Sequence, residues 1–245
     1  SSTVLHSKDG GGIYTNGTLI VEGNAKIINN QSPIVRNTHG GGIFVSNGTV
    51  ELRENAVVTG NQVGSYGAGI CMYSGKLTVS DSVQVTGNEQ VYDSNYKDTG
   101  NVYIFNGTAI PITVNGELTD KARIGVRLDS TGVLSKVTLP VTIAEAAENR
   151  IKEGNFVSDE NKYAITVTDG GTKAVFSEHQ HTWAYAASGA AITAKCSVCK
   201  TGGGSVTITA PDESSLTYDG TGKGATLDSR LTTGKTLPAI GYTKN

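Results

Sequence analysis

The residues best equipped for chemistry lie late in the chain. His179, His181, Cys196 and Cys199 place four ligand-type side chains within 21 residues. Two imidazoles and a Cys-x-x-Cys turn supply the N2S2 donor set of a closed, tetrahedral structural zinc. The pattern between them predicts a β-hairpin: residues 181–187 and 190–196 flank Ser188-Gly189, a two-residue turn candidate. With that turn His181 faces Cys196, and His179 lies two residues on along the same face. A small module whose large apolar residues are Trp183, Tyr185 and Ile192 benefits from a metal staple. The spacing differs from that of common zinc fingers, so two other readings stay open: a Cys196–Cys199 disulfide, and free surface side chains. A redox role would need a thioredoxin-like βαβ pattern, which is absent around the pair.

Carboxylates are the second group to consider. Polysaccharide lyases and hydrolases need them clustered, as Ca²⁺ ligands beside a basic residue or as an acid/base pair. Glu22, Glu51, Glu54, Asp81 and Arg53 are the candidates, and Glu54 and Asp81 occupy adjacent copies of one repeat column. They read as outward positions on a solvated face. Asp93, Asp98 and Asp120 fall in loops, with no partner assignable from spacing. His6 and His39 lie outside any nucleophile-like turn. Tyr92, Tyr96 and Tyr103 are the candidate ligand-binding residues, since exposed aromatic rings stack on sugars. Tyr92 and Tyr96 belong to the longest inter-repeat loop, residues 91–99. Asn-Gly-Thr triplets at 16, 47 and 106 match the glycosylation sequon, but Asn-Gly recurring once per repeat reads better as a turn.

The elements that must hold these residues follow from a repeat. Residues 18–31, 49–62 and 76–89 align without a gap, each after a Gly-rich opening that ends in Ile13, Ile43 or Ile70. A decayed fourth copy starts near Gly100 and includes Val102. Leu19/Val50/Leu77, Val21/Leu52/Val79 and Ile27/Val58/Val85 are apolar columns, with polar or mixed residues between them. That is period-2 alternation, the mark of short strands with one face inward. Equivalent residues recurring about every 30 positions stack on each other as rungs of a parallel β-helix. Asn30, Asn61 and Asn88 form a column whose amides can bond along the stack. Tyr14, Phe44, Cys71 and Tyr103 form another, in which Cys71 reads as a buried structural thiol.

Strands are also expected at 122–128, 133–141, 163–167 and 172–176, completing irregular rungs. One helix interrupts them: Thr142 and Glu145 have capping-box spacing, 143–153 has good helix formers, and Gly154 suits a C-terminal left-handed position. Composition agrees with a thin core. Only 37% of the 245 residues are hydrophobic, 17% are charged, and 32 are Gly. A net charge of −2 argues against nucleic-acid or anionic-membrane partners. No apolar run approaches the ~18 residues of a membrane span. The first residue is Ser1 and the only Met is Met72, so the chain reads as a piece of something longer.

Residues 10–116 resemble the right-handed parallel β-helix repeats of bacterial surface proteins. The Gly-Gly-[Gly/Ala]-Ile openings look like those of polymorphic, autotransporter-type surface proteins. The [Asn/Ser]-Gly-[Thr/Lys] and Thr-Gly-Asn-[Gln/Glu] steps are similar to those of large repeat-built surface proteins of anaerobic Gram-positive bacteria. The same pectate-lyase-like coil carries pectin lyases and several glycoside hydrolases, so the resemblance implies a fold and leaves the chemistry open. Residues 178–245 resemble further modules of such proteins, through His-x-His-x-Trp … Cys-x-x-Cys and through 216–227, which looks like the opening strands of an Ig-like repeat. Only 41 residues follow Gly204, where a full sandwich needs ~100, and Gly202-Gly203-Gly204 reads as a hinge.

The prediction is an all-β protein: a right-handed parallel β-helix with one short helix over 1–176, a Cys/His hairpin over 177–203, and a partial Ig-like module over 204–245. The expected role is non-catalytic. The protein is read as an extracellular bacterial surface or secreted stalk that contacts a glycan or host-cell ligand, or serves as a spacer. A polysaccharide lyase or glycoside hydrolase is the alternative.

Overall fold

The computed structural model describes residues 9–92, 96–104, 112–128, 139–197, 199–212 and 224–235. Expectations that involve His6, Asp93, the Asn106 triplet, 133–138 and 216–223 lie outside these residues. The chain divides into two units, Ser1–His179 and Gln180–Asn245.

The first unit is a parallel β-solenoid of about four turns. Its first rung is β1 (Ile13–Thr15), β2 (Thr18–Val21) and β3 (Lys26–Ile28). The second is β4 (Ile43–Val45), β5 (Thr49–Leu52) and β6 (Val57–Thr59), followed by β7 (Gln62–Val63). The third is β8 (Ile70–Met72), β9 (Lys76–Asp81) and β10 (Gln84–Val85), with β11 (Glu89–Val91) and β12 (Lys97–Thr99) forming an excursion. The fourth is β13 (Val102–Ile104), β14 (Ile112–Leu118) and β15 (Arg123–Leu128).

Register follows the repeat. Leu19 pairs with Val50 and Val50 with Leu77. Ile27 pairs with Val58, which pairs with Val85, and Ile13, Ile43, Ile70 and Val102 form one ladder. The inward residues of all three faces merge into one core that includes Leu52, Val58, Ile70, Val79, Val85 and Val102, all buried. Each such side chain contributes about 1.5–3 kcal/mol on burial. The thin column explains how so few apolar residues suffice.

The Asn column works as an amide ladder. Asn61 Oδ1 accepts from both the backbone N–H and the Nδ2 of Asn30, each at 2.9 Å. Asn88 Oδ1 accepts the same pair from Asn61, at 3.1 and 2.9 Å. Asn61 and Asn88 also donate sideways through Nδ2, to the Ile27 carbonyl at 2.9 Å and the Val58 carbonyl at 3.0 Å. The residue just before each ladder Asn is left-handed, with φ of 56° at Asn29, 68° at Gly60 and 68° at Gly87, a conformation open chiefly to Gly and Asn.

Beyond the fourth rung the expectations need correction. Val141–Ala146 is a strand, β16, where a helix was expected. It pairs with β14 on one side, Ile112 opposite Ala144, and buries Ile143 and Ala144. Two-sided sheet pairing overrides the local helix signals of Thr142 and Glu145. Gly154 does take a positive φ of 85°, but in a turn. The helical conformation seen among the described residues is a single 3-10 turn, Asp169–Gly171. β17 (Phe156–Ser158) extends the stack against β15. β18 (Tyr163–Thr168) and β19 (Lys173–Glu178) form an antiparallel pair against β16, rather than further parallel rungs.

The second unit is one four-stranded antiparallel sheet of β20 (Trp183–Ser188), β21 (Ala191–Cys196), β22 (Gly202–Thr209) and β23 (Thr226–Ser229). Gly202-Gly203-Gly204 opens β22 instead of serving as a hinge. A Cβ at Gly203 would meet the Trp183 ring at 2.5 Å, so that glycine gives the indole its seat. No helix among the described residues is long and apolar enough to cross a membrane.

Candidate metal centre

The hairpin that carries the Cys/His set turns one residue later than predicted. Ser188 pairs with Ala191 and Trp183 with Cys196, so Gly189-Ala190 is the loop and Trp183, not His181, faces Cys196. Gly189 has φ 56° and takes the first central position, where a positive φ is required. The correction does not scatter the ligands. His181 lies two residues before Trp183, just ahead of the strand, with its ring 4.9 Å from the indole. The Cys-x-x-Cys turn folds back over the strand end: Lys200 N–H donates to the Cys196 carbonyl at 3.1 Å, and Ser197 N–H to the Thr182 carbonyl at 2.8 Å.

One ligand atom from each of His179, His181, Cys196 and Cys199 lies within 4.8 Å of the others. His181 Nδ1 is 3.3 Å from Cys199 Sγ. No disulfide joins Cys196 to Cys199. Cys196 is buried, His181 exposed, and His179 and Cys199 intermediate. The four residues can hold a metal ion, and their donor set fits a soft or borderline cation in a closed tetrahedral site. Supporting groups are present. Thr201 Oγ1 lies 3.3 Å from Cys199 Sγ, and the Trp183 ring packs 4.9 Å from the His181 ring. Sequence reasoning did not assign Thr201; a hydroxyl two residues past the second Cys is a weak signal by itself.

The other candidates separate. Arg53 pairs with Glu22 and lies 3.2 Å from Glu51, while Asp81 accepts the Glu54 backbone N–H at 3.0 Å. The Arg53–Glu22 and Glu54–Asp81 contacts join neighbouring rungs, and Arg53–Glu51 lies within one. Asp120 approaches Lys152 at 3.3 Å and is exposed. His39 Nδ1 lies 2.7 Å from Asp9. Cys71 is fully buried, and burial pushes its thiol pKa well up, which keeps it protonated and inert. The Tyr92 and Tyr96 rings are exposed and 5.2 Å apart. Tyr103 is a correction: at 1% exposure it is buried, stacked 4.7 Å beneath Tyr66, and cannot touch a ligand. It is an outward-facing residue covered by the next layer of chain.

One constellation escaped the sequence reading. The amide ladder continues from Asn88 to Asn101 and ends on Asp159, whose two oxygens each accept from Asn101 at 2.7 Å. Nearby, Arg127 bonds Asp98 at 2.6 Å and lies 4.0 Å from Glu160. Burial pushes the Asp159 pKa up to about 6, against the pull of the Asn101 bonds. Glu160 is also raised, again chiefly by burial and opposed by Arg127. Its Oε2 is buried with no hydrogen-bond partner.

No protein-family model, curated protein or solved structure matches this chain. What fold and site define is a class: a parallel β-solenoid followed by a small antiparallel sheet, with a His/Cys cluster that can hold a metal ion.

Proposed function

We propose that this chain is a non-catalytic, surface-displayed or secreted bacterial protein in which the solenoid is a stiff display element and the C-terminal sheet is a module stapled by structural zinc. The observation that carries the zinc assignment is the convergence of two imidazoles and two unjoined thiols within 4.8 Å. The module's need supports it. Ala194, Cys196 and Val206 are the buried apolar side chains among its described residues, too few for a self-sufficient core. Four protein ligands leave no open position for substrate, which favours a structural over a catalytic metal. The bacterial and extracellular parts rest on the repeat motifs.

The test is elemental analysis with thiol titration of the purified chain. One zinc per chain, lost with Cys199→Ser, is expected. Absence of zinc, or a Cys196–Cys199 disulfide after aerobic purification, overturns the staple.

A second reading, a carbohydrate-active enzyme, is favoured by Asp98, Asp159 and Glu160 gathered near Arg127. A carboxyl group titrating near 6 suits a general acid. Against it, both Asp159 oxygens are engaged by Asn101. A reducing-end assay on neutral and acidic polysaccharides decides, with Glu160→Gln as the control; turnover abolished by that change would establish the enzyme.

A further inference from the structure

The tyrosines are unevenly placed. Six of the ten lie on the outer side of the solenoid: Tyr14, Tyr66, Tyr73 and Tyr103 are linked ring to ring through Phe44 and His39, and Tyr92 and Tyr96 form a second pair whose Tyr92 interacts with Tyr66. The floor of this set is the ladder Tyr14–Phe44–Cys71–Tyr103–Arg127, one residue from each successive strand of a parallel sheet. Flanking residues of the same strands, such as Ile43 and Val45, point into the main core, so the ladder points out. Phe44, Cys71 and Tyr103 form a separate small apolar cluster with Tyr66. His39 stacks on Tyr66 at 5.8 Å and Phe44 packs against Tyr73 at 6.2 Å. The result is a supported platform: buried rings beneath, and Tyr14, Tyr73, Tyr92 and Tyr96 exposed, Tyr14 by 57% and Tyr96 by 58%.

We infer that this face binds an extended, uncharged oligosaccharide laid along the solenoid axis. Exposed aromatic rings held by other rings lose little freedom on binding, and their faces suit the C–H faces of pyranose rings. The hydroxyl on each tyrosine and the carboxylates of Asp9 and Asp98 supply partners for sugar hydroxyls. Charge points to a neutral ligand. The ionisable groups along the platform are Asp9 beside His39, Glu89 with Lys97, and Asp98, Asp159 and Glu160 around the single Arg127, so no positive field is offered to an anionic ligand. Four rung steps from Tyr14 to Arg127 span about 19 Å at the usual ~4.8 Å strand spacing, room for several sugar rings in line.

The inference rests on the display reading above, and its test is separate from zinc. Isothermal titration of the full chain with cellohexaose, xylohexaose and mannohexaose, and with hexagalacturonate as the charged control, reads the platform directly. At least one neutral hexaose binds; Tyr96→Ala and Tyr92→Ala each weaken it about tenfold, Tyr96→Trp retains it, and Tyr185→Ala in the second unit leaves it unchanged. Failure of all three neutral hexaoses, tighter binding of hexagalacturonate, or undiminished binding by Tyr96→Ala overturns the inference. Binding that survives zinc removal supports the platform whatever becomes of the staple, and cleavage of a bound hexaose upholds the platform while overturning the non-catalytic reading.

Discussion

The two units solve one problem, how to hold a β-sheet together with few apolar residues, in opposite ways. The solenoid repeats itself. Each rung borrows hydrogen bonds and core from its neighbours, so Leu52, Val58, Ile70 and Val79 are wholly buried although each rung is thin. Its polar residues are repeated too, and Asn30, Asn61, Asn88 and Asn101 satisfy one another. The described residues of the second unit form four strands with no repeat among them. Its sheet buries three apolar side chains among the described residues, one of them Cys196 of the His/Cys cluster. Translation along an axis supplies cohesion in one case; in the other, the proposed metal staple supplies it. Cohesion from repetition is spread over many contacts, while cohesion from a cluster is lost at a single point.

Metal removal tests this difference most severely. Structural zinc in small modules contributes apparent folding energies of ~10–16 kcal/mol. Chelation, or Cys196→Ser, is expected to unfold the second unit alone. Trp183 is the only tryptophan, so its emission shifts red while the far-ultraviolet strand signal of the solenoid persists. An unchanged Trp183 spectrum would remove the contrast between the units.

Core truncation comes next. Leu52→Ala in the solenoid should cost about 2–5 kcal/mol in urea unfolding, whereas Ile192→Ala, half-buried in the second unit, should cost under about 1.5 kcal/mol. Equal costs would mean that the second unit has a packed core after all.

Cutting the amide ladder is the third test. Asn61→Ala leaves the Asn30 N–H and amide, and the Ile27 carbonyl, without their partner, a loss of about 3 kcal/mol. The urea midpoint of the solenoid should fall while Trp183 emission at low urea stays as it was.

The smallest expected effect is on pH. The Asp159 pKa is raised to about 6 in the fold, from about 3.9 in the unfolded chain. The folded state holds the proton more tightly, so the stability linked to it is complete below about pH 3.9 and is lost as pH rises through about 6. The loss is on the order of 2 kcal/mol. Glu160, shifted the same way, adds to it. Asp159→Asn should flatten most of this slope; a slope identical to that of the parent would detach Asp159 from the ladder's end.

Much of the solenoid was legible in the sequence. Every apolar column read from the alignment reappears as a strand register, as do the Asn column and Ile13/Ile43/Ile70/Val102. The clustering of His179, His181, Cys196 and Cys199 was legible as well, since four metal-type residues in 21 positions narrow the options sharply. What failed did so for identifiable reasons. Thr142 and Glu145 carry a helix-start pattern that loses to sheet partners on both sides of β16. The hairpin turn slipped by one residue because Ser188-Gly189 and Gly189-Ala190 are both plausible loops, and the backbone needed Gly first. Asn101 was missed because it follows Asn88 by 13 residues, outside the repeat period, and Asp159 because it lies 58 residues farther along.

The sequence by itself determined the stacking of the rungs and which four metal-type side chains come together. Both depend on spacing along the chain: identical columns must align when neighbouring rungs are hydrogen-bonded in parallel, and residues on a short hairpin cannot travel far apart. Only the tertiary structure decided that Tyr103 is a floor and Tyr96 a surface, that the ladder ends on a carboxylate, and that Arg127 meets Asp98 and Glu160. Those outcomes depend on which distant segment returns to cover an outward face, and burial of that kind leaves no periodic trace in the chain.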